Sequence, residues 1–210
     1  MVKRLVVLGA GGHGAVVADA AECQGLWSEI IFLDDGWATK KNIYSWPVLG
    51  ALDKFASFIN SETSFVVAIG NAQVRLEWLK KIQDLSGNIA TIIHPSAVIS
   101  RHAQIGAGVV VFANAVVNIG AYIAVGCIIN TGAGVDHDVK LAECVHICPN
   151  THLAGNVKIG SCSWIGIGTS VRQMIEIGSN VMVGAGSVIV SNVGNNMTVM
   201  GVPAKPKAFN

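Results

Sequence analysis

Residues Ile93 to Ile189 repeat with a period of six, and that spacing constrains the fold more tightly than any other feature of the chain. The series runs Ile93, Ile99, Ile105, Val111, Val117, Ile123, Ile129, Val135, Leu141, Ile147, Leu153, Ile159, Ile165, Val171, Ile177, Val183 and Ile189, without one insertion. The fifth position of each hexad is small or β-branched, from Ala97, Ala103, Val109, Ala115, Ala121, Cys127 and Ala133 on to Val193. A helical period of 3.6 or a strand period of 2 produces neither pattern. A parallel β-helix produces both, because a short strand and a turn together take about six residues and each strand sends an aliphatic side chain into the bore. First and fifth positions then point inward and the others outward. Glycines at Gly106, Gly120, Gly126, Gly160, Gly166, Gly178 and Gly184 suit the turns.

Residues 1–90 have a different rhythm. Leu5 to Leu8, a helix through Val16 to Ala21, Ile30 to Leu33, a helix near Leu52 to Ile59, Phe65 to Ile69 and a helix from Gln73 to Gln83 read as β-α-β-α-β. That alternation predicts a small parallel sheet flanked by helices, too short for a complete two-half dinucleotide fold. The expected organisation is therefore a mixed α/β, Rossmann-like βαβαβ domain over 1–90, followed by a β-helix domain over 91–210. The coil is entered through Asn88 to His94, and the tail Gly201-Val202-Pro203-Ala204-Lys205-Pro206 leaves it.

Of the 210 residues, 51% are hydrophobic and 13% charged, which excludes a disordered chain, a charged coiled coil and a basic nucleic-acid arm. Lys plus Arg is 14 against Asp plus Glu 13, so the net charge of +1 draws no polyanion from a distance; no nucleic-acid partner is expected. No apolar run reaches the roughly 20 residues of a membrane span, and Met1-Val2-Lys3-Arg4 leads into a strand-like segment rather than a signal peptide. Five cysteines, odd in number and without Cys-x-x-Cys spacing, read as thiols in a reducing compartment, so a cytoplasmic protein is expected.

After the first strand, Gly9-Ala10-Gly11-Gly12-His13-Gly14 fits G-x-G-x-x-G and opens a helix. Backbone N–H groups of such a loop cradle a pyrophosphate, although a tight strand-to-helix turn without ligand has the same spelling. Asp34-Asp35, at the end of the second strand, lies where a carboxylate accepts hydrogen bonds from ribose or base, and the two signals together favour a nucleotide. Gly70-Asn71, ending the third strand, forms the third edge of the same crevice. In the repeats, His137, His146 and His152 fall at hexad positions three, six and six, all outward. His137 lies between Asp136 and Asp138, and a carboxylate on one ring nitrogen raises the basicity of the other; general base is favoured over a plain surface histidine. Cys144-Val145-His146-Ile147-Cys148 raises a zinc reading, but the two cysteines occupy the fourth and second positions of successive hexads and no second ligand pair completes a site; no metal is expected. A cysteine nucleophile is favoured still less, because no histidine is placed as an obvious activating base within its hexad.

The glycine-rich loop, Asp34-Asp35, the hexads, Asn130-Thr131-Gly132 followed by Val135-Asp136-His137-Asp138, and the Gly-Val-Pro-Ala-Lys tail together resemble one family. It is the bacterial acetyltransferases of the hexapeptide-repeat, left-handed β-helix superfamily that acetylate UDP- or GDP-linked 4-amino-4,6-dideoxy sugars, related to the sialic-acid O-acetyltransferases. The resemblance covers nearly the whole chain. It implies a homotrimer with the nucleotide-linked amino sugar on the N-terminal domain and acetyl-CoA, the co-substrate, in the groove between adjacent β-helices. It further implies that Gly11, Gly12 and His13 contact the pyrophosphate region, Asp34 and Asp35 the base and ribose, Gly70 and Asn71 the substrate backbone, and Asn130 the sugar. His137 matches the general base, His146 a residue at the acetyl end of acetyl-CoA, and Ile167 and Ala185 the positions whose backbone meets the pantetheine arm. Where the family often has Glu after the catalytic histidine, this chain has the shorter Asp138. The alternatives are an O-acetyltransferase acting on a sialic-acid-type sugar and, from another class, a noncatalytic β-helix scaffold or nucleotide-binding protein.

Overall fold

The computed structural model describes residues 3–207, which form two compact units meeting in sequence between Pro95 and Ser96. Met1 and Val2, at the start of the segment read as lacking a signal peptide, lie outside the described residues. In the first unit β1 (Arg4–Leu8) pairs in parallel with β2 (Glu29–Leu33) on one side and β5 (Thr63–Val67) on the other. Leu5 to Leu8 are completely buried, the mark of a strand covered on both sheet faces. The crossovers that parallel pairing requires are α1 (Gly12–Gln24), a 3-10 helix over Leu52–Phe58, and α2 (Ala72–Asp84), which leads to the short β6 (Asn88–Ile89). Helix α1 buries Gly14, Val17, Ala18, Ala20 and Ala21, a face of small side chains, and stops at Gly25 in the left-handed conformation (φ 71°).

The sheet has two strands beyond the expected three and β6. A hairpin of β3 (Asn42–Ile43) and β4 (Trp46–Gly50) lies at its edge, with β4 parallel to β2, giving the order β3-β4-β2-β1-β5-β6. Its pattern is hard to read because β3 is two residues long and Pro47 argues against a central strand, although β4 is paired on both sides, with β3 and with β2.

The second unit is a parallel β-helix of two-residue strands stacked at intervals of 18 residues. One face carries Val98–Ile99, Val116–Val117, Gly134–Val135, His152–Leu153, Ser170–Val171 and Val188–Ile189. The next carries Gln104–Ile105, Tyr122–Ile123, Lys140–Leu141, Lys158–Ile159 and Glu176–Ile177. The third carries Val110–Val111, Ile128–Ile129, His146–Ile147, Trp164–Ile165 and Met182–Val183. From Val111 to Ile189 every first-position residue is at most 3% exposed, and the fifth positions from Val109 to Ser187 are as deeply buried. Polar members of that fifth column bond to the next coil: Thr151 Oγ1 donates to Gly166 O at 2.8 Å and Ser163 Oγ to Gly178 O at 2.7 Å.

The turns differ from the sequence expectation. From Gly108 to Gly186 every fourth position is left-handed, with φ between 52° (Asn150) and 74° (Gly120), and glycine, asparagine and aspartate occupy most of these places. Gly106, Gly160, Gly166, Gly178 and Gly184 stand at the second position instead. There a β-carbon would press on the following coil, as at Gly106, where it would come within 2.9 Å of the Ala124 carbonyl carbon. The tail also differs. Rather than leaving the coil, Ala204–Pro206 turns back antiparallel on Thr198–Gly201, which itself pairs with Met182–Val183.

Candidate functional site

The glycines of the first loop separate into two kinds. Gly9 has φ +107°, and a β-carbon there would come within 2.9 Å of Ala68 O; one at Gly14 would collide with the Gly9 carbonyl. These two are required by the fold. At Gly11, Gly12 and Gly70 a β-carbon would meet no protein atom within 4 Å, and the φ of −90° at Gly11 is open to any residue. Gly11 is the N-cap of α1 and makes no side-chain cap, and the loop borders a cleft of about 670 Å³. Ala10, Gly11, Gly12 and Lys40 line it, and the hairpin residues Tyr44 and Trp46, whose rings meet edge to face, form a wall that the sequence did not announce.

Asp34 braces this loop: Oδ2 accepts from Ala10 N at 2.7 Å and Oδ1 from Gly36 N at 2.9 Å. Asp35 Oδ1 accepts from Leu52 N at 3.0 Å. Both carboxylates thus shape the crevice through backbone bonds. Lys40 Nζ donates to Ala10 O at 2.8 Å. Asn71 caps α2, its Oδ1 accepting from Val74 N at 3.0 Å. Arg75, buried in that helix and not singled out by the sequence, donates from Nη1 to Ile69 O and Gly70 O at 2.8 and 3.0 Å, fixing the Gly70-Asn71 edge. Burial, and next the Arg75 charge, lower the His13 pKa to about 4, so the imidazole is neutral at physiological pH.

In the β-helix, His137 and Asp138 occupy the turn after Gly134–Val135. Asp138 is in the left-handed conformation (φ 59°), which brings its carboxylate back to the preceding ring, Oδ2 to His137 Nδ1 at 2.9 Å. The shorter acid therefore reaches its histidine. Asp136 Oδ1 accepts from His137 N at 2.7 Å and from Asn118 Nδ2 at 3.0 Å, holding the turn from the other side. The Asp138 hydrogen bond raises the His137 pKa above 6.5, with the charges of Asp136 and Asp138 adding to it against a smaller opposing effect of desolvation. With Nδ1 directed to a carboxylate, Nε2 carries the lone pair. The ring is half exposed.

His146 points out of the bore but is only 6% exposed. It lies between Ile128 and Trp164 in the strand ladder of its face, and the Trp164 ring meets it edge to face with centroids 4.1 Å apart. Asn130 stands beside it. Because Asn130 Oδ1 accepts from Thr131 N at 2.8 Å, its Nδ2 is the group 3.1 Å from His146 Nε2. Nε2 is then an acceptor and the ring proton resides on Nδ1. Ile167 and Ala185, both exposed, take the third position of successive coils at the corner following this face, and Gly186 N donates to Ile167 O at 2.8 Å. Within one chain the structure brings His146 together with Asn130, and Ile167 with Ala185. It places His137 at a different corner, beyond the whole intervening face. Burial pushes the Cys148 thiol up to about 12, removing it as a nucleophile at neutral pH. Among the described residues no three metal-ligating side chains cluster, and no helix is long and apolar enough to cross a membrane.

Residues 4–82 match the family model described as the PglD N-terminal domain. Over 115 residues the chain is 33% identical to UDP-N-acetylbacillosamine N-acetyltransferase of Bacillus subtilis (strain 168), spanning 53% of this chain and 52% of that one, about half the length of the curated relative. The acetyltransferase domain of PglB from Neisseria gonorrhoeae FA1090 is 43% identical, with a TM-score of 0.94 over 98% of this chain and 100% of that one. PerB from Caulobacter crescentus, solved in complex with CoA and GDP-perosamine, is 33% identical with a TM-score of 0.91, and 99% of each chain is covered.

Proposed function

Because the chain belongs to the bacterial sugar-nucleotide N-acetyltransferases, we propose that it moves an acetyl group from acetyl-CoA to the 4-amino group of a nucleotide-linked 4-amino-4,6-dideoxy sugar. The observation that carries this reading is the His137–Asp138 pair, an exposed imidazole with Nδ1 on a carboxylate and a raised pKa. A thioester is already activated and thiolate leaves readily, so the protein must supply a neutral amine, placement, and a donor for the oxygen that gains charge. His137 Nε2 takes the proton of the attacking amine. Asp138 steadies the imidazolium that results. His146, whose Nε2 accepts from Asn130 Nδ2, does not act as a second base. Ile167 and Ala185 offer exposed backbone to the pantetheine arm, while Gly11, Gly12 and Gly70 leave room for the diphosphate near the N-terminus of α1, where the helix dipole favours an anion.

One feature supports a homotrimer with sites between subunits. His137 and His146 are nine residues apart, half a circuit of an 18-residue coil, and two side chains on opposite sides of one prism do not meet at one acetyl group. A closed three-fold ring brings the corner of one chain to the face of the next. A cytoplasmic setting agrees with five cysteines, odd in number and without Cys-x-x-Cys spacing. The assay is thiol release from acetyl-CoA against UDP-, GDP- and CMP-linked sugars bearing amino or hydroxyl acceptors. Turnover is expected with a 4-amino sugar nucleotide and is lost in His137→Ala; turnover confined to hydroxyl acceptors such as sialic acid overturns the assignment.

A further inference from the structure

We propose that Gly155 is a positioning residue of the transfer site: by lacking a side chain it leaves the space across which the His137 ring lies with Nδ1 on Asp138. The inference rests on the reading of His137 as general base. Gly155 takes the third hexad position one coil after His137, and the two turns are joined by Asn156 N donating to His137 O at 3.0 Å. A β-carbon on Gly155 would collide with His137 Nε2 and approach Cε1 to 2.5 Å and Cδ2 to 3.0 Å. These are the atoms of the ring edge that faces the reacting amine.

Turn geometry does not account for this glycine. The left-handed residue of its hexad is Asn156 (φ 59°), and Gly155 is not among the residues of positive φ, so alanine is compatible with its backbone. The ring has little freedom to yield to a methyl group, since Nδ1 is bound to Asp138 and the His137 N–H to Asp136. Asp138 is confined in turn, because its Oδ1 lies over Gly120, one coil earlier, where a β-carbon would strike it. Gly120 also needs its φ of +74°, so Gly155 is the cleaner test. A methyl there forces the imidazole off Asp138 or places a carbon against Nε2, and both remove the base from its working position.

The experiment compares wild type, Gly155→Ala, His137→Ala and the double variant by steady-state kinetics, thermal melting, and NMR titration of His137. Gly155→Ala is expected to lose kcat on the order of 10²-fold, as misplacement of a reacting group does, with acetyl-CoA KM little changed. Its His137 pKa falls because the Asp138 bond weakens. In the His137→Ala background the methyl has no ring to displace, so the double variant turns over as His137→Ala does. Wild-type kcat and pKa in Gly155→Ala overturn the inference, as does the same fold-loss with and without the imidazole. Should Gly155→Ala fail to fold, a folded double variant still identifies the ring as the obstacle, and unfolding of both overturns it. If His137→Ala retains wild-type turnover, the base assignment fails by itself; Gly155 is then judged on the NMR pKa, which drops if it positions the ring and stays if it does not.

Discussion

His137 and Asp138 give the reaction a pH signature. In the proposed mechanism the neutral imidazole is the working form, so kcat/KM is expected to rise with pH through the His137 pKa, which the Asp138 hydrogen bond holds above 6.5. Asp138→Asn removes the carboxylate that stabilises the imidazolium. The acid limb of the profile is therefore expected to move to lower pH, with a lower plateau because the base is weaker, in a pH–rate series on the two proteins. A limb that does not move separates Asp138 from the titration of His137. The identity of this pair was legible in the sequence, because position three of a hexad is outward and two aspartates flank it. The role of Asp138 required φ 59° at the turn, which allows a side chain one methylene shorter than Glu to reach back to the ring. The Asn130–His146–Trp164 group was legible only in part: a hexad position gives the direction of His146, but the neighbours that bury it lie 16 and 18 residues away in sequence.

Elements of two residues have no stability of their own, so the coil stands through column contacts between turns. Ser163 shows this most clearly: its hydroxyl donates to Gly178 O at 2.7 Å and accepts from Val181 N at 3.0 Å, both in the following coil. Ser163→Ala leaves two backbone groups without that partner in a buried column. It is expected to destabilise the fold by about 1–3 kcal/mol, the desolvation cost of such groups, measurable by denaturant unfolding; an unchanged midpoint would mean that water replaces the hydroxyl. The hexad period announced the bore because the same constraint recurs in every coil. The β3–β4 hairpin, by contrast, has no repeated signal. Tyr44 and Trp46 reach the cleft through a two-residue strand and a left-handed Tyr44 (φ 50°), choices made by tertiary packing rather than propensity.

For the whole molecule, the two substrates are assigned to separate units, and this division is testable. Gly11→Leu places a side chain where the protein leaves open space, so it is expected to weaken sugar-nucleotide binding at least tenfold while acetyl-CoA binding persists, by calorimetry. Equal loss of both ligands would contradict the division. The trimer is tested by complementation: inactive His137→Ala and His146→Ala chains, mixed and allowed to exchange subunits, should regain part of the activity, because some interfaces then carry both histidines. No recovery after proven exchange would mean that one chain supplies both. By itself the sequence determined the β-helix, its phase, the outward His137 and the small α/β unit before it, because periodicity and strand–helix alternation are local constraints repeated along the chain. Only the tertiary structure decided which glycines are spent on the fold and which leave room, how Asn130 and Trp164 enclose His146, and that the His137 ring lies over Gly155. The glycines depend on neighbours across the α/β sheet, as Gly9 does on Ala68, and the two histidines on contacts between stacked coils, where the partner of each side chain leaves no mark in its own segment.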